Sequence, residues 1–118
     1  MTAAEPSPEV DALYALSDIL LRRYLLRDLL WCAPCDRPKV PLLLGRLSRY
    51  YACRGGGCPH PALPAKITEH RVWNRFVRQD GTVPPGLPPA DRHERLRHEL
   101  RRVVVGPEMT QLWLEWWQ

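Results

Sequence analysis

The sequence predicts an α+β fold: a small β-ribbon flanked by helices, closed by a β-hairpin at the C-terminal end. Three observations predict it. All four cysteines fall between Cys32 and Cys58, as two close pairs. Short β-rich runs lead into and out of those pairs. Stretches with helical spacing of apolar residues lie on both sides of them.

The cysteine pairs read Cys32-Ala33-Pro34-Cys35 and Cys53-Arg54-Gly55-Gly56-Gly57-Cys58. Two residues between cysteines let one tight turn present both sulfurs to a single ion. The glycine run gives the second pair the same reach, because glycine accepts backbone conformations that side chains forbid. Zn²⁺ takes four soft or borderline ligands at tetrahedral corners, and this spacing is that of a zinc ribbon. The predicted ligands are Cys32, Cys35, Cys53 and Cys58, all as thiolates. Two disulfides, an iron site of rubredoxin type or another metal are the alternatives. Disulfides suit a secreted chain, whereas residues 1–21 carry four acids, no base and no leading apolar core. His60 is a spare ligand nearby; beside four cysteines it reads as a loop residue, and its contribution stays open. A closed four-ligand site has no open position, so it argues for structure and against metal catalysis.

At 118 residues the chain can build only a small core, which a metal would staple. No apolar run approaches the ~20 residues a membrane span needs. With no signal peptide, a cytoplasmic location is expected. The net charge of +4 is unevenly spread. Residues 1–21 hold Glu5, Glu9, Asp11 and Asp18 and no base. Residues 22–78 hold twelve bases against Asp28, Asp36 and Glu69, and residues 79–118 hold five bases against six acids. The positive charge is thus concentrated around the cysteines, which is what phosphate binding needs.

In chain order, residues 1–28 read as a disordered leader and an amphipathic helix over 8–27. Ser7 is its N-cap, Pro8 its first helical residue, and Val10, Leu13, Tyr14, Leu20, Leu21, Tyr24 and Leu25 its apolar stripe. Residues 29–78 read as the ribbon and its following helix. Leu29 to Trp31 form a short strand, and Val40–Leu44 with Leu47–Tyr51 form a hairpin in which Tyr50 and Tyr51 face opposite ways. A helix follows from Ala65 to about Arg78, with Thr68, Val72, Trp73, Phe76 and Val77 on its apolar side. Residues 79–118 read as a proline-rich loop, a helix over 92–102 capped by Asp91, and a hairpin of Val103–Val105 with Gln111–Trp116. His93 and His98 are expected to face solvent.

No catalytic residue is assigned. Serine occurs only at positions 7, 17 and 48, outside any glycine-rich elbow. No phosphate loop, HExxH pattern or apolar carboxylate pair is present. The expectation is a non-enzyme.

The stretch from Leu25 to Cys35, reading Leu-Leu-Arg-Asp-Leu-Leu-Trp-Cys-Ala-Pro-Cys, resembles the entry to the zinc β-ribbon of large serine recombinases. That family typically reads Leu-Leu-x-Gly-Leu-Leu-x-Cys-x-x-Cys-Gly. Arg49-Tyr50-Tyr51-Ala52-Cys53 resembles its Tyr-Tyr-x-Cys strand, and Ile67 to Trp73 resembles a helix that usually reads Leu-Glu-x-x-Val-Trp. Arg95 to Gly106 and Leu114-Glu115-Trp116 resemble the family's last helix and hairpin. Asp28 and Asp36 stand where glycine is usual, Thr68 replaces an apolar residue, and the loop 79–90 stands in place of a long coiled-coil insertion. The Tyr-x-Arg-x-Ser motif of the catalytic domain is missing.

The resemblance implies a module that lies against duplex DNA without catalytic activity of its own. Arg46, Arg49 and Arg54 near the ribbon tips are the expected DNA contacts, with Arg71 and Arg75 behind them. The alternative is a zinc-stabilised protein-interaction or regulatory module that docks through helix 8–27 and through Trp113 and Trp117.

Overall fold

The structure is a computed structural model that describes residues 22–44, 48–54, 57–58, 61–84, 86–108 and 111–117. Among these, six strands form one sheet: β1 (Leu30–Cys32), β2 (Arg37–Leu44), β3 (Ser48–Cys53), β4 (Leu63–Pro64), β5 (Leu100–Val105) and β6 (Leu112–Trp116). Two helices accompany it, α1 (Ala65–Gln79) and α2 (Pro89–Glu99). The spatial order is β4-β3-β2-β1-β5-β6, so the α+β class expected from the sequence is observed.

The short strand β1 sits inside the sheet. It pairs antiparallel with β2 and parallel with β5, in the register Leu30↔Val103, Trp31↔Val104 and Cys32↔Val105. Flanking amides extend this join: Val103 N donates to Leu29 O at 2.8 Å and Ala33 N donates to Val105 O at 2.9 Å. The terminal hairpin β5–β6 is therefore part of the same sheet as the ribbon. Val103 and Val105 face the core and are buried. Gly106 starts the turn, where an added Cβ would stand 2.6 Å from Gln111 Oε1 and 2.9 Å from Trp113.

Helix α1 buries Ala65, Thr68, Glu69, Val72 and Phe76, a stripe at helical spacing. Val77, expected on that side, is 38% exposed. Trp116 stacks on Phe76 at 5.4 Å between ring centres and so ties the hairpin to α1. Tyr51 is fully buried and Tyr50 half-buried, as their alternation on β3 requires.

Four local expectations are corrected. Helix 8–27 lies mostly outside the described residues, but within them the chain turns over residues 25–29. The reason is visible: Leu25 N is taken by Glu69 Oε2 at 2.8 Å and Leu26 N by the Tyr51 hydroxyl at 2.9 Å. These amides leave the helical ladder for side-chain acceptors. Helix α2 starts at Pro89 with Pro88 as its N-cap, and Asp91 sits in its first turn. Proline at the first helical position needs no N–H partner and has its φ already set. The helix also ends at Glu99, since Leu100 opens β5 opposite Trp116. Finally, His93 is buried, with Nδ1 2.8 Å from Leu25 O.

Asp28 and Asp36 both have left-handed backbones, with φ of 63° and 52°. These are the two positions at which the recombinase pattern carries glycine. Aspartate tolerates this region better than most residues. At Asp36 the side chain also accepts from Trp31 Nε1 at 3.3 Å.

Candidate metal centre

The register of the sheet brings the two cysteine pairs together. Strand β1 ends at Cys32, β2 starts at Arg37, and β3 ends at Cys53 opposite Lys39. Both knuckles thus flank the start of β2. Arg37 Nη1 donates to Arg54 O at 3.3 Å, linking the start of β2 to the loop of the second pair. The sulfurs of Cys32, Cys35, Cys53 and Cys58 all lie within 4.8 Å of one another, and no disulfide joins them. Tetrahedral thiolates at ~2.3 Å from a zinc ion stand about 3.8 Å apart, so a small inward movement suffices.

The electrostatics fit a cation in the middle. Hydrogen bonding from Cys58, with desolvation and the neighbouring Cys32 and Cys53 thiols, pushes the Cys35 thiol up to about 12. Desolvation leads the upward push on Cys53, followed by Cys58 and Cys32. Crowded thiols hold their protons unless a positive charge replaces them, and a divalent ion supplies it. A second cation is already in place. Lys39 is only 3% exposed, and its Nζ lies 3.6 Å from Cys53 Sγ. The donor set is thus all sulfur with a buried ammonium beside it, which suits a soft or borderline metal.

The arginines expected to touch DNA occupy different settings. Arg46 and the spare ligand His60 lie outside the described residues. Arg54 is exposed next to the second cysteine pair. Arg49 is committed inward: its fork meets Glu69 at 3.0 and 3.2 Å, and Nη1 also donates to Arg23 O at 2.7 Å. Its guanidinium lies over the Tyr24 ring, 5.2 Å from the centre. On α1, Arg71, Arg75 and Arg78 line one shallow concavity with Asn74 and Leu112. Arg71 and Arg78 are exposed there, whereas Arg75 is half-buried and donates to Leu112 O. A larger cleft of about 730 Å³ carries Arg22, Arg23, Lys66 and Arg92 around Ile67 and Trp73.

Two residues that organise this region were missed in the sequence. Lys39 gives no local signal, because only its pairing with Cys53 shows where it points. Glu69 gives one: it is the only acid between Asp36 and Asp80, in the most basic part of the chain. It holds Arg49, Tyr51 and the Leu25 amide at once.

The sequence matches no protein-family model and no curated protein. The fold does have counterparts among solved structures. A crystal structure of an LSR–DNA complex matches 91% of this chain with a TM-score of 0.61 at 13% identity. The chain shares its fold with that LSR–DNA complex. A structure bearing on the sequence requirements of the Listeria innocua prophage attP site matches 91% of the chain with the same TM-score of 0.61, at 17% identity. This chain spans 59% of the first of those chains and 53% of the second, little more than half of either. The likeness is one of fold, and it agrees with the recombinase pattern in the sequence. Among the described residues, no helix is long and apolar enough to cross a membrane.

Proposed function

We propose that this chain is a zinc-stapled DNA-binding module of the recombinase-ribbon kind, which neither cleaves nor joins DNA by itself. The observation that carries this reading is the gathering of four thiols around one point, on a fold shared with recombinase–DNA complexes. Cys32, Cys35, Cys53 and Cys58 would hold Zn²⁺, and the ion would supply cross-linking charge to a site whose protein part is two turns. The strongly basic stretch 22–78 supports duplex DNA as the partner, through phosphates first. Exposed arginines at 54, 71 and 78 supply side chains for that contact. The lack of a serine beside a plausible general base supports the absence of strand cleavage.

A second reading is a docking module for another protein. It is favoured by Trp113 and Trp117, which are 51% and 60% exposed. One experiment separates the two. Purified protein is assayed for bound zinc and then titrated against duplex DNA carrying candidate attachment sites, at several salt concentrations. One zinc per chain and a salt-dependent affinity are expected. Metal-free folded protein would overturn the zinc assignment, and no salt-dependent binding to duplex would give the docking reading first place. Supercoiled plasmid should remain unnicked; a covalent adduct on denaturation would overturn the non-catalytic part.

A further inference from the structure

A buried ammonium needs a reason, because taking a charge out of water costs several kcal/mol unless a counter-charge is at hand. Lys39 is such a group, 3% exposed in the middle of the ribbon. None of the ion pairs among the described residues involves it. The polar partner that the geometry gives it is Cys53 Sγ, 3.6 Å away. The ladder fixes this placement, since Lys39 stands directly opposite Cys53 across β2 and β3 and directly opposed residues share a face. A neutral thiol is a poor counter-charge; a thiolate is a good one.

We propose that Lys39 is a positioning residue of the metal centre, which hydrogen-bonds the Cys53 thiolate, offsets the charge of the site and slows loss of the ion. Four thiolates and one divalent cation leave a net charge of −2, and a single ammonium in contact halves that excess. The N–H···S bond also fixes the direction of the Cys53 sulfur, as outer partners do for other metal ligands. Cys53 is the cysteine that Lys39 reaches. It is the last residue of β3, so the ladder holds its backbone and the hydrogen bond from Lys39 sets its sulfur. Detachment of one sulfur opens the site to a competing ligand, so the residue that steadies Cys53 controls the rate of exchange.

This inference rests on the zinc reading, and the test separates the two. Full-length protein is loaded with Co²⁺, a spectroscopic stand-in for Zn²⁺, and with Zn²⁺ itself. The cobalt–thiolate absorption reports the ligand set, and transfer of zinc to a chromophoric chelator reports the release rate. Wild type should show the four-thiolate spectrum. K39M should keep that spectrum and release zinc about tenfold faster or more, in the range seen when outer partners of metal ligands are removed. K39R, which keeps charge and donors, should fall between. A purely structural lysine would shift the melting temperature and leave the release rate of folded protein alone. If K39M does not fold, K39Q keeps an N–H donor without the charge and should still release faster than K39R. Wild-type release from whichever neutral variant folds overturns the role given to Lys39. A wild-type protein without the four-thiolate spectrum overturns the metal assignment, and this inference with it.

Discussion

The Tyr51 hydroxyl donates to Glu69 Oε2 at 2.6 Å while accepting from Leu26 N at 2.9 Å. That pair joins three elements: β3, α1 and the turn that enters the ribbon. Burial, and then the Glu69 charge and hydrogen bond, hold the Tyr51 phenol far above its ordinary range, so it stays a donor at any working pH. Replacing it by phenylalanine removes the donor from a buried carboxylate and orphans the Leu26 amide. Y51F should therefore lower stability by about 1–3 kcal/mol. Urea unfolding with an unchanged slope measures this, and a loss below about 0.5 kcal/mol would show that the network is not structural.

Asp28 invites the opposite change. Its φ of 63° is costly for a side chain and free for glycine. Its ion pair with Arg97 is long, 3.7 Å, and exposed, so little is lost with it. D28G should raise stability by about 0.5–1 kcal/mol. D36G should gain less, because it gives up the bond from Trp31. Thermal unfolding of the two variants side by side checks the order.

Acid should weaken the fold through His93. Desolvation comes first in pulling its pKa below the ordinary 6.5, with Arg27 and Arg97 adding repulsion and the Leu25 carbonyl opposing. The folded state thus prefers neutral imidazole. Its stabilising contribution is present above pH 6.5 and is lost as pH falls from there through the depressed folded value. Asparagine can place its side-chain N–H₂ near the Nδ1 position and cannot titrate. H93N should flatten the stability profile below about pH 6.5. An unchanged profile in a folded H93N would assign the acid sensitivity to other groups.

The salt dependence of DNA binding should separate contact arginines from structural ones. R54A with R46A should flatten the slope of log K against log salt by about 2 units and leave zinc content unchanged. R49A should behave differently, since its fork braces Glu69 inside the network. Its main effect should be lower stability, with Arg75, bonded to the Leu112 carbonyl, following the same pattern. Fluorescence titrations at several salt concentrations, alongside unfolding curves, distinguish the two groups. Equal slopes in wild type and a folded R46A/R54A would remove the ribbon tip from the contact surface.

What the sequence determined by itself is local. The two cysteine pairs, each within one short turn, follow from spacing. Helix α1 and its buried stripe of Thr68, Val72 and Phe76 follow from a period that repeats every fourth residue. The inward Tyr51 and outward Tyr50 follow from strand alternation, and β5 with β6 from a β-branched run and a Gly-Pro turn. Tertiary structure decided whatever depends on partners tens of residues away. The parallel join of β1 to β5 pairs Leu30 with Val103, and no short-range pattern encodes that register. The same holds for charge. Arg49 reads as a DNA contact and Lys39 carries no assignment in the sequence, yet one is paired with Glu69 and the other is buried against Cys53. Burial sets the energy of a charge through its distant neighbours, and a linear pattern of residue types does not contain those neighbours.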